Sequence, residues 1–106
     1  MKIINLTPHA INFYTPNGIN TINPSGVIAR AGTISTPNGV INDIPVVSIA
    51  YGNIEGLPAP EPDTIYVVSS IVASAVKGRD DVFVPNDFIR DDNGNIIGAR
   101  NLGKIL

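Results

Sequence analysis

The sequence predicts a β-rich domain, all-β or α+β, built as a small antiparallel or barrel-like sheet with one short helix near residues 69–77. Three observations carry this expectation. Nine prolines and ten glycines in 106 residues cut the chain into pieces too short for a helical bundle. The first of the pieces between them, Lys2 to Leu6 and Ala10 to Tyr14, carry Ile and the aromatic pair Phe13-Tyr14, which favour pleated backbone. A single segment carries both helix-start and helix-stop signals. A chain of this length is expected to fold as one domain, residues 1–106, around one core.

Lys2 to Leu6 and Ala10 to Tyr14 read as strands parted by Thr7-Pro8-His9. Thr15-Pro16-Asn17-Gly18 then supplies a preset φ at Pro and tolerance of positive φ at Asn-Gly, so a hairpin into Ile19 to Ile22 is expected. Asn23-Pro24-Ser25-Gly26 is a second turn before Val27 to Ala31. Thr36-Pro37-Asn38-Gly39 repeats the first turn letter for letter, again ahead of a β-branched residue, and predicts a second, similar hairpin. Ile44 to Tyr51 follows as a strand that Pro45 assigns to an edge or a strand start. Gly52 to Asp63 is the longest irregular stretch, of a kind that often lies over a binding pocket.

Thr64 to Val68 reads as a buried strand. Ser69-Ser70 precedes Ile71 to Lys77, and Gly78 closes it, which is the punctuation of a capped helix. Ile71, Val72, Ala75 and Val76 would share its apolar face. Val82 to Val84 and Asn95 to Ala99 complete the strands, with Asp92-Asn93-Gly94 as the turn before the last.

The residue inventory excludes several function classes. With no cysteine, the chain has neither a disulfide framework nor a thiol nucleophile, and its single histidine cannot build a His-based metal site. Asp91-Asp92-Asn93-Gly94-Asn95 lacks the spacing of a calcium loop, since glycine stands fourth rather than sixth and Leu102 occupies the closing position. No metal and no cofactor are therefore expected. Seven basic residues and a net charge of −2 argue against duplex nucleic acid. No apolar run is long enough for a membrane helix, and the start of the chain reads directly as strand, so the cytoplasm is the expected location and no membrane partner is expected.

What remains is an anion-binding kit. Arg79 to Lys104 holds nine of the sixteen formal charges, arranged around Arg79-Asp80-Asp81, Arg90-Asp91-Asp92 and Arg100-Asn101. Guanidinium forks suit phosphates, and Arg30, inside an apolar segment, wants a carboxylate or phosphate partner. Ser69 and Ser70 would donate from the helix start, where the free N–H groups favour anions. Tyr51, beside Gly52, is the ring placed to stack on a base, and Asp91 or Asn101 would take ribose hydroxyls or a base edge. The alternative stands open at each position: the arginines pair internally with Asp80, Asp81, Asp91 and Asp92, and the serines are only caps. His9 would serve as a general base in a phosphodiesterase, or as a structural hydrogen-bonder.

Several segments together resemble a family of small proteins of phage and prophage genomes. They are Asn5-Leu6-Thr7-Pro8-His9-Ala10, Pro24-Ser25-Gly26…Ala29-Arg30, and Ile65-Tyr66-Val67-Val68-Ser69. The close adds Arg79-Asp80…Val84-Pro85…Arg90-Asp91…Gly94…Ile96-Ile97-Gly98. Small phage proteins of this kind include anti-defence sponges, which bind cyclic nucleotide immune signals such as cyclic ADP-ribose isomers without cleaving them. The resemblance implies such a role in the host cytoplasm, with a small nucleotide-derived ligand as partner. A domain this small gains pocket walls by self-association, so a homo-oligomer is expected. The other classes in view are a structural or interaction module of a phage and a His9-dependent phosphodiesterase.

Overall fold

Eight strands and one short helix make up the chain, and a computed structural model describes all of residues 1–106. In chain order they are β1 (Lys2–Asn5), β2 (Ile11–Thr15), β3 (Gly18–Ile22), β4 (Arg30–Ile41), β5 (Ile44–Glu55), β6 (Thr64–Val67), α1 (Ser70–Ala75), β7 (Val82–Arg90) and β8 (Ile96–Gly103). The β-rich class read from the sequence is the observed one, with a single short helix where it was expected.

Six strands form one sheet in the order β1-β6-β7-β8-β2-β3, which curls into a half-barrel. Its pairing is mixed rather than antiparallel. β1 with β6, β6 with β7 and β2 with β8 are parallel, while β7–β8 and β2–β3 are antiparallel. At β6–β7 the departure has a physical origin in the crossover: α1 lies between these two strands, and a connection of that length returns the chain in the same direction. Phe13 opposite Ala99 is the one registered pair that joins β2 to β8.

The β2–β3 hairpin closes as expected through Pro16-Asn17, with Gly18 at φ 120° and the Thr15 hydroxyl donating to the Gly18 carbonyl at 2.8 Å. The second copy of that turn is not a turn. Thr36-Pro37-Asn38-Gly39 lies inside β4, where the register slips between Pro37 and Val40 and Gly39 takes φ +88° at the irregularity. The reversal comes later, at Asn42-Asp43, both at positive φ (49° and 64°). Asn and Asp tolerate that region, and reversing there pairs Thr33–Pro37 with Val47–Tyr51, whereas an earlier turn would abandon those pairs. Strand β4 and strand β5, of 12 residues each, therefore form a separate two-stranded arm.

The core lies between one sheet face and α1. Leu6, Ala29, Tyr66, Val68, Val72, Ala73, Val82 and Val84 form it, with Ile4, Ile54, Leu57, Val76 and Ile105 packed around. Ser69 caps α1 by accepting from the Val72 N–H. The buried helix face is Val72, Ala73 and partly Val76; Ile71 and Ala75, expected to face inward, are exposed. The buried stripe is thus rotated by one position from the predicted one, with Val72, Ala73 and Val76 in place of Ile71, Val72, Ala75 and Val76.

The irregular stretch is shorter than expected, since β5 runs on to Glu55. Its remainder is bound down rather than laid over a pocket. The Arg79 Nη2 donates to the Pro58 carbonyl at 3.1 Å, and the Tyr66 hydroxyl donates to the Ala59 carbonyl at 3.3 Å. Burial, with Glu61 and Asp81 nearby, raises the Tyr66 phenol, so it stays a protonated donor.

Candidate functional site

The most developed cleft, of about 490 Å³, opens where β1 and β6 end side by side. Crevices outside the carboxyl ends of parallel strands are the usual ligand sites of such sheets. Thr7 and His9 come from the loop after β1, Ser69 and Ser70 from the start of α1, Phe88 from β7, and Ile96 to Gly98 from β8. The walls are mainly apolar, and polar groups are few.

Asn5 shapes this loop. It is 1% exposed, and its amide donates to the His9 carbonyl at 2.8 Å and to the Ile22 carbonyl at 3.1 Å. Its Oδ1 accepts from the Thr7 N–H at 2.9 Å and the Thr7 hydroxyl at 2.7 Å. A buried amide with every capacity met holds Thr7-Pro8-His9 in one conformation. The His9 imidazole makes no hydrogen bond or ion pair; the structural role expected of this residue falls to its backbone carbonyl. No nucleophile or carboxylate is bonded to that ring, so no catalytic pair is assembled around it.

A second hollow, of about 440 Å³, adjoins the first, and Thr7 and Ser69 line both. Arg30, Thr33, Tyr51 and Ile71 are also in its wall. The Arg30 guanidinium forms no hydrogen bond or ion pair within the chain, and Tyr51 is 58% exposed. Four of the nine residues singled out in the sequence thus gather around the Ser69 ridge: Arg30, Tyr51, Ser69 and Ser70.

The other five do not. Arg79 is committed to Asp81 through two bonds, Nε to Oδ1 and Nη2 to Oδ2, both 2.8 Å. The bidentate hydrogen bond raises Arg79 further and lowers Asp81 against the cost of burial, fixing both charges. Arg90 donates to the Gly94 carbonyl at 2.8 Å, and Asp91 Oδ1 accepts from the N–H groups of Asn93 and Asn95. That pair builds the β7–β8 turn. Arg100 stands 3.5 Å from Asp87, and Asn101 accepts from Asn86 at 2.9 Å across the β7–β8 ladder. Arg100 and Asn101 line a separate hollow of about 220 Å³ with Phe13 and Asn20. No hollow is lined by two arginines, so the expected arginine cluster does not form.

Sequence reasoning passed over Asn5, Thr7 and Phe88 as site builders. The Asn5-to-Ala10 segment was the available signal, since its polar residues interrupt an apolar run just past a strand. Ser69 keeps its cap role, and with only six helical residues behind it the helix dipole adds little to anion binding. Compared with protein-family models, curated proteins and solved structures, the chain matches none of them.

Proposed function

We propose that this chain binds a small nucleotide-derived ligand across the two adjoining hollows and releases it unchanged. The carrying observation is that Thr7 and Ser69 line both, with an uncommitted guanidinium, Arg30, on one side only. A base would enter the apolar cleft beside Phe88, and a phosphate would meet Arg30 with Tyr51 packed on the sugar or a second ring. The cleft volume falls in the range of small-ligand sites. An imidazole without an acid or nucleophile partner supports retention over turnover. The resemblance to small phage proteins supports sequestration of a cyclic nucleotide immune signal as the biological role.

Calorimetric titration with cyclic ADP-ribose isomers and cyclic dinucleotides tests this. Binding of at least one is expected, with the ligand recovered intact after heat denaturation. Arg30→Ala should weaken that binding about 10- to 100-fold, the loss of one charge-assisted contact, while Arg100→Ala leaves it unchanged. Silence across the panel overturns the reading. Turnover abolished by His9→Ala would instead establish the phosphodiesterase. The interaction-module reading has its own observation in the exposed β4–β5 arm, and it predicts no ligand binding and no effect of Arg30→Ala.

A further inference from the structure

We infer that the β4–β5 arm is the self-association surface of this protein, two copies stacking their arms face to face about a twofold axis. An isolated two-stranded ribbon is marginal in water, and this one is covered only at its base. Thr33 to Pro45 are exposed without interruption. The two faces of the arm differ. Cross-strand partners share a face, so Thr33/Tyr51, Ser35/Ile49, Pro37/Val47 and Val40/Pro45 form one side. On it Val40, Val47, Ile49 and Tyr51 are 65%, 47%, 60% and 58% exposed. The opposite side also exposes Ile34, Ile41 and Ile44, at 62%, 64% and 65%, but Thr36 and the Asn38 amide donating to the Ser48 hydroxyl at 2.9 Å part Ile34 from the pair at the tip.

Area and charge identify the occupant as a second copy. The chain exposes 7182 Å², against about 5,700 Å² for a compact monomer of its mass. The excess of about 1,500 Å² is of the size each partner of an obligate dimer buries. Between Ala31 and Ile54 the only charge is Asp43, at the tip. A charged partner would find nothing to pair with there, while an identical uncharged apolar face is self-complementary.

The geometry closes on itself. With arms antiparallel about the axis, each tip reaches the other arm's base. There Tyr51, Ile71 and Ala75 line a hollow of about 410 Å³, open to receive Val40 and Pro45. Asp43 stays at the rim in water. Exposed Ile71 also finds its cover in this arrangement. The dimer forms with or without a nucleotide ligand, although Thr33, Tyr51 and Ile71 border both surfaces, so a second copy would wall part of the second hollow.

Sedimentation equilibrium of the full chain tests it, with circular dichroism as the control for folding. At tens of micromolar the wild-type chain is expected as a dimer or an even-numbered assembly of dimers. Ile49→Asp should convert it to a monomer with an unchanged spectrum, and Ser48→Asp, on the opposite face, should leave the assembly intact. A monomeric wild type, or an oligomer indifferent to Ile49→Asp, overturns the proposal. Amide exchange of the wild type keeps the test open should Ile49→Asp unfold. The Thr33 to Thr36 amides are expected to be protected at high concentration and to lose protection on dilution; fast exchange at every concentration overturns the proposal.

Discussion

Asn5 decides the conformation of the loop that carries Thr7 and His9, because four hydrogen bonds converge on one buried amide. Asn5→Ala removes the amide partner of the Ile22 carbonyl and of the Thr7 N–H, while the His9 carbonyl keeps the Thr7 hydroxyl at 3.1 Å, and water reaches the half-exposed loop to replace only part. A loss of about 2 kcal/mol is expected in urea unfolding, with weaker ligand binding. Asp81 makes a second case at this scale. Its folded pKa lies below the ordinary 3.8, chiefly through the Arg79 hydrogen bonds. Its stabilising contribution is therefore complete above pH 3.8 and disappears as pH falls through the lower, folded value. The stability gap between wild type and Asp81→Asn should shrink to nothing over that acid range. A gap that persists at the acid end would contradict the assignment. Neither role was legible in the sequence. Arg79 beside two aspartates reads equally as a phosphate ligand, and only the fold shows that its fork is already filled.

At the scale of elements, identical local chemistry gave two outcomes. The first Thr-Pro-Asn-Gly closes β2–β3, since its flanking strands are short and pair at once. The second is overruled by the register of a longer ribbon, and a proline is tolerated there because a two-stranded arm has open edges. Turn identity is legible when closure is local and illegible when distant pairs decide the register. The β2–β8 seam offers another test. A methyl group on Gly98 would overlap the Tyr14 ring and the Asn12 carbonyl, so the two parallel strands approach this closely only around a glycine. Gly98→Ala should cost about 1–3 kcal/mol in thermal unfolding and deform the adjoining cleft. An unchanged midpoint would mean that the seam is looser than it looks.

For the whole molecule, the radius of gyration is 16.6 Å, where a compact chain of this length would show about 13 Å. The arm makes the difference, drawing the long dimension out to 53 Å. The sequence showed β-rich character, the helix cap and most strand positions. It did not show which strands neighbour each other, since parallel pairing of Lys2 with Thr64 depends on chain far away. The arginine site failed for the same reason: residues close in sequence were spread over one turn, one ladder and one loop clamp.

The uncharged arm has a practical consequence. No lysine or arginine lies between Arg30 and Lys77. An enzyme that cuts after basic residues therefore has no target anywhere along β4 after its first residue or along β5. Trypsin should release the arm, the Gly56–Asp63 loop, β6 and α1 as one piece, Ala31–Lys77, whether or not the ribbon is covered. The most protruding part of the molecule is thus the part such a protease leaves whole.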